Sequence, residues 1–136
     1  MTELSINFCR NIIDPYKEEV WCYGILTKKM VKNATPINIP YTKVQLTKKD
    51  NWTIEQHAGR VLYLAQNGWD KPIEIDVGIP GYCGRFIGDG CHRIAAAIYL
   101  GQKWIKAEVS GCLESIPRNQ IRDGLPRLSK DCSKSI

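Results

Sequence analysis

The stretch Gly88-Asp89-Gly90-Cys91-His92-Arg93 gathers a carboxylate, a thiol, an imidazole and a guanidinium at the head of the apolar run Ile94-Ala95-Ala96-Ala97-Ile98. The first turn of a helix has unpaired N–H groups and the positive end of the dipole. With Gly88 and Gly90 letting a ligand approach the backbone, such a turn is suited to cradle phosphate. Arg93 would add a planar fork of donors and His92 a proton-sensitive one. A thiol on this first turn beside His92 and Arg93 sits where its pKa is lowered, so Cys91 is a candidate nucleophile, with His92 and Asp89 as its catalytic neighbours. Asp89 would repel phosphate unless it caps the helix or holds a divalent metal that bridges to the phosphates. The preference of Asp for the N-cap position favours the cap.

Other candidates carry less chemistry. His57 has no Cys or carboxylate at ligand spacing around it and reads as a surface residue on the polar face of its helix. Glu74 and Asp76 share one polar strand face, which a metal-dependent nuclease could use and exposed polarity explains equally well. Trp52, Trp69 and Trp104 are suited to stacking on bases or to the rim of the core. Zinc ligation is not expected, because only Cys91 and His92 lie close together and adjacent positions cannot both ligate easily.

These residues need a scaffold, and 136 residues allow one domain with tails. A content of 43% hydrophobic and 24% charged residues, without repeats, is that of a globular chain. The start "MTELSINFCR" has no basic-then-apolar leader and no run is long enough for a bilayer, so a cytoplasmic protein is expected. The six cysteines form no C-x-x-C pair, and reduced thiols are the default. The net charge of +5 is unevenly spread: residues 27–49 hold Lys28, Lys29, Lys32, Lys43, Lys48 and Lys49 without an acid, and the tail from Arg118 is basic too. Lys28, Lys29 and Lys32 are the candidate contacts to nucleic acid, against the plainer reading of a solvated surface.

Thr53-x-x-Gln56 is a capping-box pattern, and Ile54, Ala58, Val61, Leu62 and Ala65 fall at helical spacing up to Asn67-Gly68. Residues 72–78 alternate as a strand with one buried face, Pro80-Gly81 marks a turn, and 82–88 reads as the returning strand of a hairpin. A helix from about Cys91 to Leu100 ends at Gly101, and 104–110 is another strand. Residues 38–46 read as a strand, a short helix is expected after Pro15, and "TKKMVKNATP" reads as a loop or arm. The fold class is therefore α/β or α+β, with helices against one mixed sheet. The chain divides into residues 1–37, an extension of unassigned role; 38–112, the core domain; and 113–136, a basic tail.

Residues 38–110 resemble the ParB/sulfiredoxin superfamily. "NGWDKPIEIDV" is similar to the family's helix-end, Pro-Ile and strand segment, and "IGDGCHRIAAAIYLGQKWIKAEV" to its strand, turn, helix and strand. The turn reads Gly-Glu-Arg-Arg-x-Arg-Ala in ParB-type partition proteins, Gly-Gly-Cys-His-Arg in sulfiredoxin, and Asp-Gly-x-His-Arg in many phage, plasmid and DNA-modification relatives. Asp89 to Arg93 match the last pattern and carry the sulfiredoxin cysteine. The resemblance implies a nucleoside triphosphate, such as ATP, with His92 and Arg93 on its phosphates; Gly88, Gly90 and Cys91 complete the candidate nucleotide site, Lys71 reaches toward it, and Asp89 is the candidate Mg2+ ligand where it does not cap the helix.

Three functions follow from these readings. The first is a ParB-like nucleotide-binding protein acting on or near DNA, with NTP-dependent or nuclease activity. The second is a sulfiredoxin-like or small-molecule phosphotransfer enzyme using Cys91. The third is an interaction module without catalysis. The sulfiredoxin segment Arg-Pro-x-Pro-Ser is not found, and the sequence has no room for the helix-turn-helix of full partition proteins.

Overall fold

A computed structural model of the chain describes residues 2–21, 24–41 and 52–123. Its centre is a five-stranded mixed sheet in the order β3-β2-β4-β1-β5. The strands are β1 (Glu3–Ser5), β2 (Ile73–Asp76), β3 (Phe86–Asp89), β4 (Trp104–Ser110) and β5 (Ile121–Arg122). β2 and β4 run parallel and the other pairs antiparallel. The helices are α1 (Ile6–Ile12), α2 (Lys28–Asn33), α3 (Ile54–Asn67) and α4 (Cys91–Leu100). The expected α+β architecture is therefore the one observed.

The period-two pattern decides which sheet face is covered. Ile73, Ile75, Ile105 and Ala107 are buried with Ile94, Ala97 and Ile98 of α4 and with Phe8 and Cys9 of α1. Glu74, Lys106 and Glu108, the alternate residues, are exposed. A second cluster lies on the far side of α4, where Ala95 and Ala96 meet Ala58, Val61 and Leu62 of α3 and Val31 of α2. The alanines of α4 are thus small because two layers press on the same helix.

Local signals act where the sequence places them. Thr53 and Gln56 form the reciprocal capping box of α3, and α3 ends at Gly68 with φ +76°. Gly101 closes α4 in the left-handed region, and its N–H and that of Gln102 bond the carbonyls of Ile98 and Ala97 at 3.0 and 2.9 Å.

Elsewhere the structure departs from the sequence reading. The helix expected after Pro15 lies before it: Ser5 caps α1, and residues 15–17 form a turn held by the Asp14 carboxylate, which accepts from the Tyr16 N–H at 2.9 Å. The Lys-rich segment read as a loop contains α2, capped by Thr27 and anchored by buried Val31. The hairpin return begins later than expected, because Tyr82 and Cys83 still belong to the turn around Pro80-Gly81 and only Phe86–Asp89 is strand. Of the strand expected over 38–46, residues 42–46 lie outside the described residues and 38–41 are not strand. Residues 3–12, set apart by the sequence as extension, supply β1 inside the sheet and α1 on its covered face. Cys9 and Cys83 are free thiols, whereas Cys112 is disulfide-bonded, which corrects the expectation of reduced thiols at that position.

Candidate functional site

The opening of α4 is set by one glycine. Gly90 has φ +131°, and a Cβ there would overlap the side chain of Ile73, so only glycine lets the helix start directly on the first residue of β2. Gly90 is also the N-cap and supplies no side-chain hydrogen bond to the first turn of α4. The anion-attracting end of this ten-residue helix is thus left without a side-chain cap.

Asp89 does not act as that cap. Its Oδ2 lies 3.0 Å from Nη2 of Arg93 and 3.4 Å from Nζ of Lys71, so the carboxylate stands between two cations. Arg93 is buried, and its Nη1 donates to the carbonyls of Lys71 at 2.8 Å and Pro72 at 2.6 Å. The guanidinium is a clasp tying the loop before β2 to α4, with Nη1 and Nη2 turned to protein oxygens. Nor does this arrangement suit a resident divalent metal: the Asp89 oxygen is already shared by two positive groups. Among the described residues no three His, Cys, Asp or Glu side chains converge as ligands.

His92, one residue further along α4, points toward α3. Its Nε2 is 2.8 Å from Nδ1 of His57, whose side chain is 1% exposed. The surface position expected for His57 is thus corrected, and the residues that bury it are aromatic. The Trp21 indole stacks on both imidazoles, with centroid distances of 4.8 Å to His57 and 4.6 Å to His92. Tyr41 meets His57 edge-on at 4.8 Å and Trp52 lies tilted at 5.4 Å. Burial pushes the His57 pKa down to about 4. Burial, the neighbouring His57, and the Arg60 and Arg93 guanidiniums push that of His92 down to about 3. Both rings are neutral at neutral pH, one donating to the other, so the pair can pass a proton without holding a charge.

Of the residues singled out by sequence, Lys71, Asp89, Arg93, Gly90, Cys91 and His92 meet around the start of α4, with the Cys91 thiol half-buried on its first turn. Lys28, Lys29 and Lys32 stand apart, exposed on α2. Trp21, Tyr41 and the role of His57 were not legible. One signal existed: Trp52 immediately precedes the capping Thr53, and His57 occupies the fourth helical position, the two places that pack together in a hydrophobic staple. Compared with family models, with curated proteins and with solved structures, the chain matches none.

Proposed function

We propose that the protein is a cytosolic nucleotide-binding domain of the ParB/sulfiredoxin type that works on or beside DNA. The phosphates of a nucleoside triphosphate sit at the first turn of α4, with Lys71 as the flanking cation. The base packs against the aromatic and histidine cluster.

One observation carries this reading. His92 belongs both to the first turn of α4, which has no side-chain cap, and to the cluster in which Trp21 stacks on two imidazoles. A helix end that attracts anions is thereby joined to a surface that attracts flat rings, the two chemistries a nucleotide combines. A neutral His92 that donates its Nδ1–H to a phosphate oxygen accepts at Nε2 from the Nδ1–H of His57, which fixes that tautomer. Nucleophilic use of Cys91 is less favoured, because His92 is neutral and turned to His57 while Arg93 is paired with Asp89, leaving neither to hold a thiolate. Lys28, exposed at the start of α2, supplies the contact to DNA.

A thermal-shift panel with ATP, CTP, GTP and ADP tests the reading. One nucleotide raises the melting temperature of the parent protein, and the rise is lost in Trp21→Leu and reduced in Lys71→Glu. A parent protein unmoved by every nucleotide overturns it.

A further inference from the structure

A hollow of 560 Å³ lies at the carboxyl end of α4, between α1, the start of α2 and the turn into β4. Its cations come from three separate elements: Arg10 from α1, Lys28 from α2, and Lys103 from the α4–β4 turn. No aspartate or glutamate is among the described residues lining it. Arg10 bonds Asp14 through Nε at 3.0 Å, and its two terminal nitrogens are uncommitted among the described residues. The carboxyl end of α4, which would repel an anion, is masked by the N–H groups of Gly101 and Gln102.

The remaining lining adds a different chemistry. Asn7, Gln102 and Asn119 bring carboxamides to the hollow, and Trp104 forms part of its wall. The Arg122 guanidinium lies 3.8 Å from the centroid of that indole and adds a fourth positive charge nearby. Cations alone would suit any anion. Carboxamides match the donor and acceptor edges of bases, and an indole matches their faces, whereas an acidic peptide has no use for either. A hollow of this volume admits a base only when it is splayed from its stack, which a single strand offers and a duplex does not.

We propose that this hollow binds single-stranded nucleic acid, with the phosphodiester backbone on Arg10, Lys28 and Lys103 and one base seated against Trp104. The inference rests on the nucleic-acid half of the function proposed above and fixes the surface that performs it. Lys28 and Lys29 are then not equivalent, since Lys28 lines this hollow and Lys29 a different groove beside α3.

The experiment is fluorescence anisotropy of the full chain with a short labelled oligothymidylate, titrated at low and at physiological salt. Lys103→Glu and Lys28→Glu each weaken binding about tenfold or more and lower the salt slope by about one, whereas Lys29→Glu changes affinity less than about twofold. Lys28, Lys29 and Lys103 are exposed, and an unchanged melting temperature confirms that the variants fold. Unlabelled single strand displaces the probe, and duplex of the same sequence and polyglutamate do so at least about tenfold less well. Parent binding that is indifferent to Lys103→Glu and Lys28→Glu overturns the hollow and leaves the nucleic-acid reading standing. Equal displacement by polyglutamate makes the partner an acidic protein segment, and equal displacement by duplex removes the splayed base. No binding by the parent chain overturns the hollow together with the nucleic-acid reading, while the thermal-shift panel decides the nucleotide site independently.

Discussion

Nδ1 of His57 and Nε2 of His92 lie 2.8 Å apart, beneath a single indole that stacks on both rings. Two imidazoles so placed form one hydrogen bond only if one nitrogen carries hydrogen and the other does not. Protonating both would set like charges against each other inside an aromatic enclosure. Burial keeps the pair neutral, and three of the five expected outcomes below follow from it or from the arginine clasp beside it.

Stability should fall on mild acidification. Both histidines have folded-state pKa values depressed from about 6.5, to about 4 and about 3, so the unfolded chain takes up protons that the folded chain refuses. The contribution is fully present above pH 6.5 and is lost progressively as the pH falls from there toward 4, reaching on the order of a few kcal/mol. Urea midpoints at several pH values between 7.5 and 4.5 report it. His57→Phe should flatten the profile, and an equally steep profile in that variant would assign the loss to other groups.

Replacing Arg93 should damage the fold before it touches any ligand. Arg93→Ala removes two hydrogen bonds to the carbonyls of Lys71 and Pro72 and the ion pair to Asp89, a cost of about 2–4 kcal/mol. Arg93→Lys, with one nitrogen in place of a fork, should recover less than half of that. Chemical denaturation of the three proteins gives the comparison, and a loss below about 0.5 kcal/mol would mean that the clasp does not hold the loop.

Two neighbouring glycines should differ in their tolerance of a methyl group. Gly90→Ala combines a strained φ of +131° with a methyl driven into Ile73, and should cost more than about 2 kcal/mol. Gly88→Ala meets Glu74 only at ordinary contact distance, 3.5 Å, and should cost less than about 1 kcal/mol. Matched thermal melts of the two variants measure the difference.

Cys91→Ser should retain nucleotide binding within about threefold, because the first turn of α4 presents backbone groups that the substitution leaves in place. Isothermal titration with the nucleotide that scores in the thermal-shift panel checks this. A loss of binding beyond about tenfold in a folded variant would return the thiol to the centre of the chemistry.

His92→Gln, finally, should weaken nucleotide binding more than it weakens the fold. It keeps one donor but gives up the stacking on Trp21 and the proton partnership with His57. A ratio of affinity loss to stability loss matching that of Arg93→Ala would indicate that the residue acts through the scaffold alone.

The two central helices were legible because their signals are short-range. A capping box and a terminal glycine delimit α3, and Gly101 ends α4. The aromatic enclosure was not, since Trp21, Tyr41 and Trp52 approach His57 and His92 from separated segments that no local pattern relates. His57 looked polar-facing because helical periodicity ranks faces by hydropathy, and a histidine buried by rings scores like one facing water. Arg93 illustrates the opposite limit. The motif located it correctly at the start of α4, yet a guanidinium bound to phosphate and one bound to backbone carbonyls have the same sequence. β1 was invisible for a third reason: three residues are too few to display alternation, and their partners Trp104 to Lys106 are about a hundred positions away.

That last pairing bears on how the chain is made. Leu4 faces Ile105 on one side and Ile121 on the other, so β1 has neither neighbour until about a hundred further residues have left the ribosome. Closure of the sheet around β1 is thereby deferred until β4 and β5 are made, and the nascent β1 spends that interval with its hydrogen-bonding edges open to chaperones or to aggregation. For expression, a solubilising fusion ahead of β1 would shield the segment during that wait.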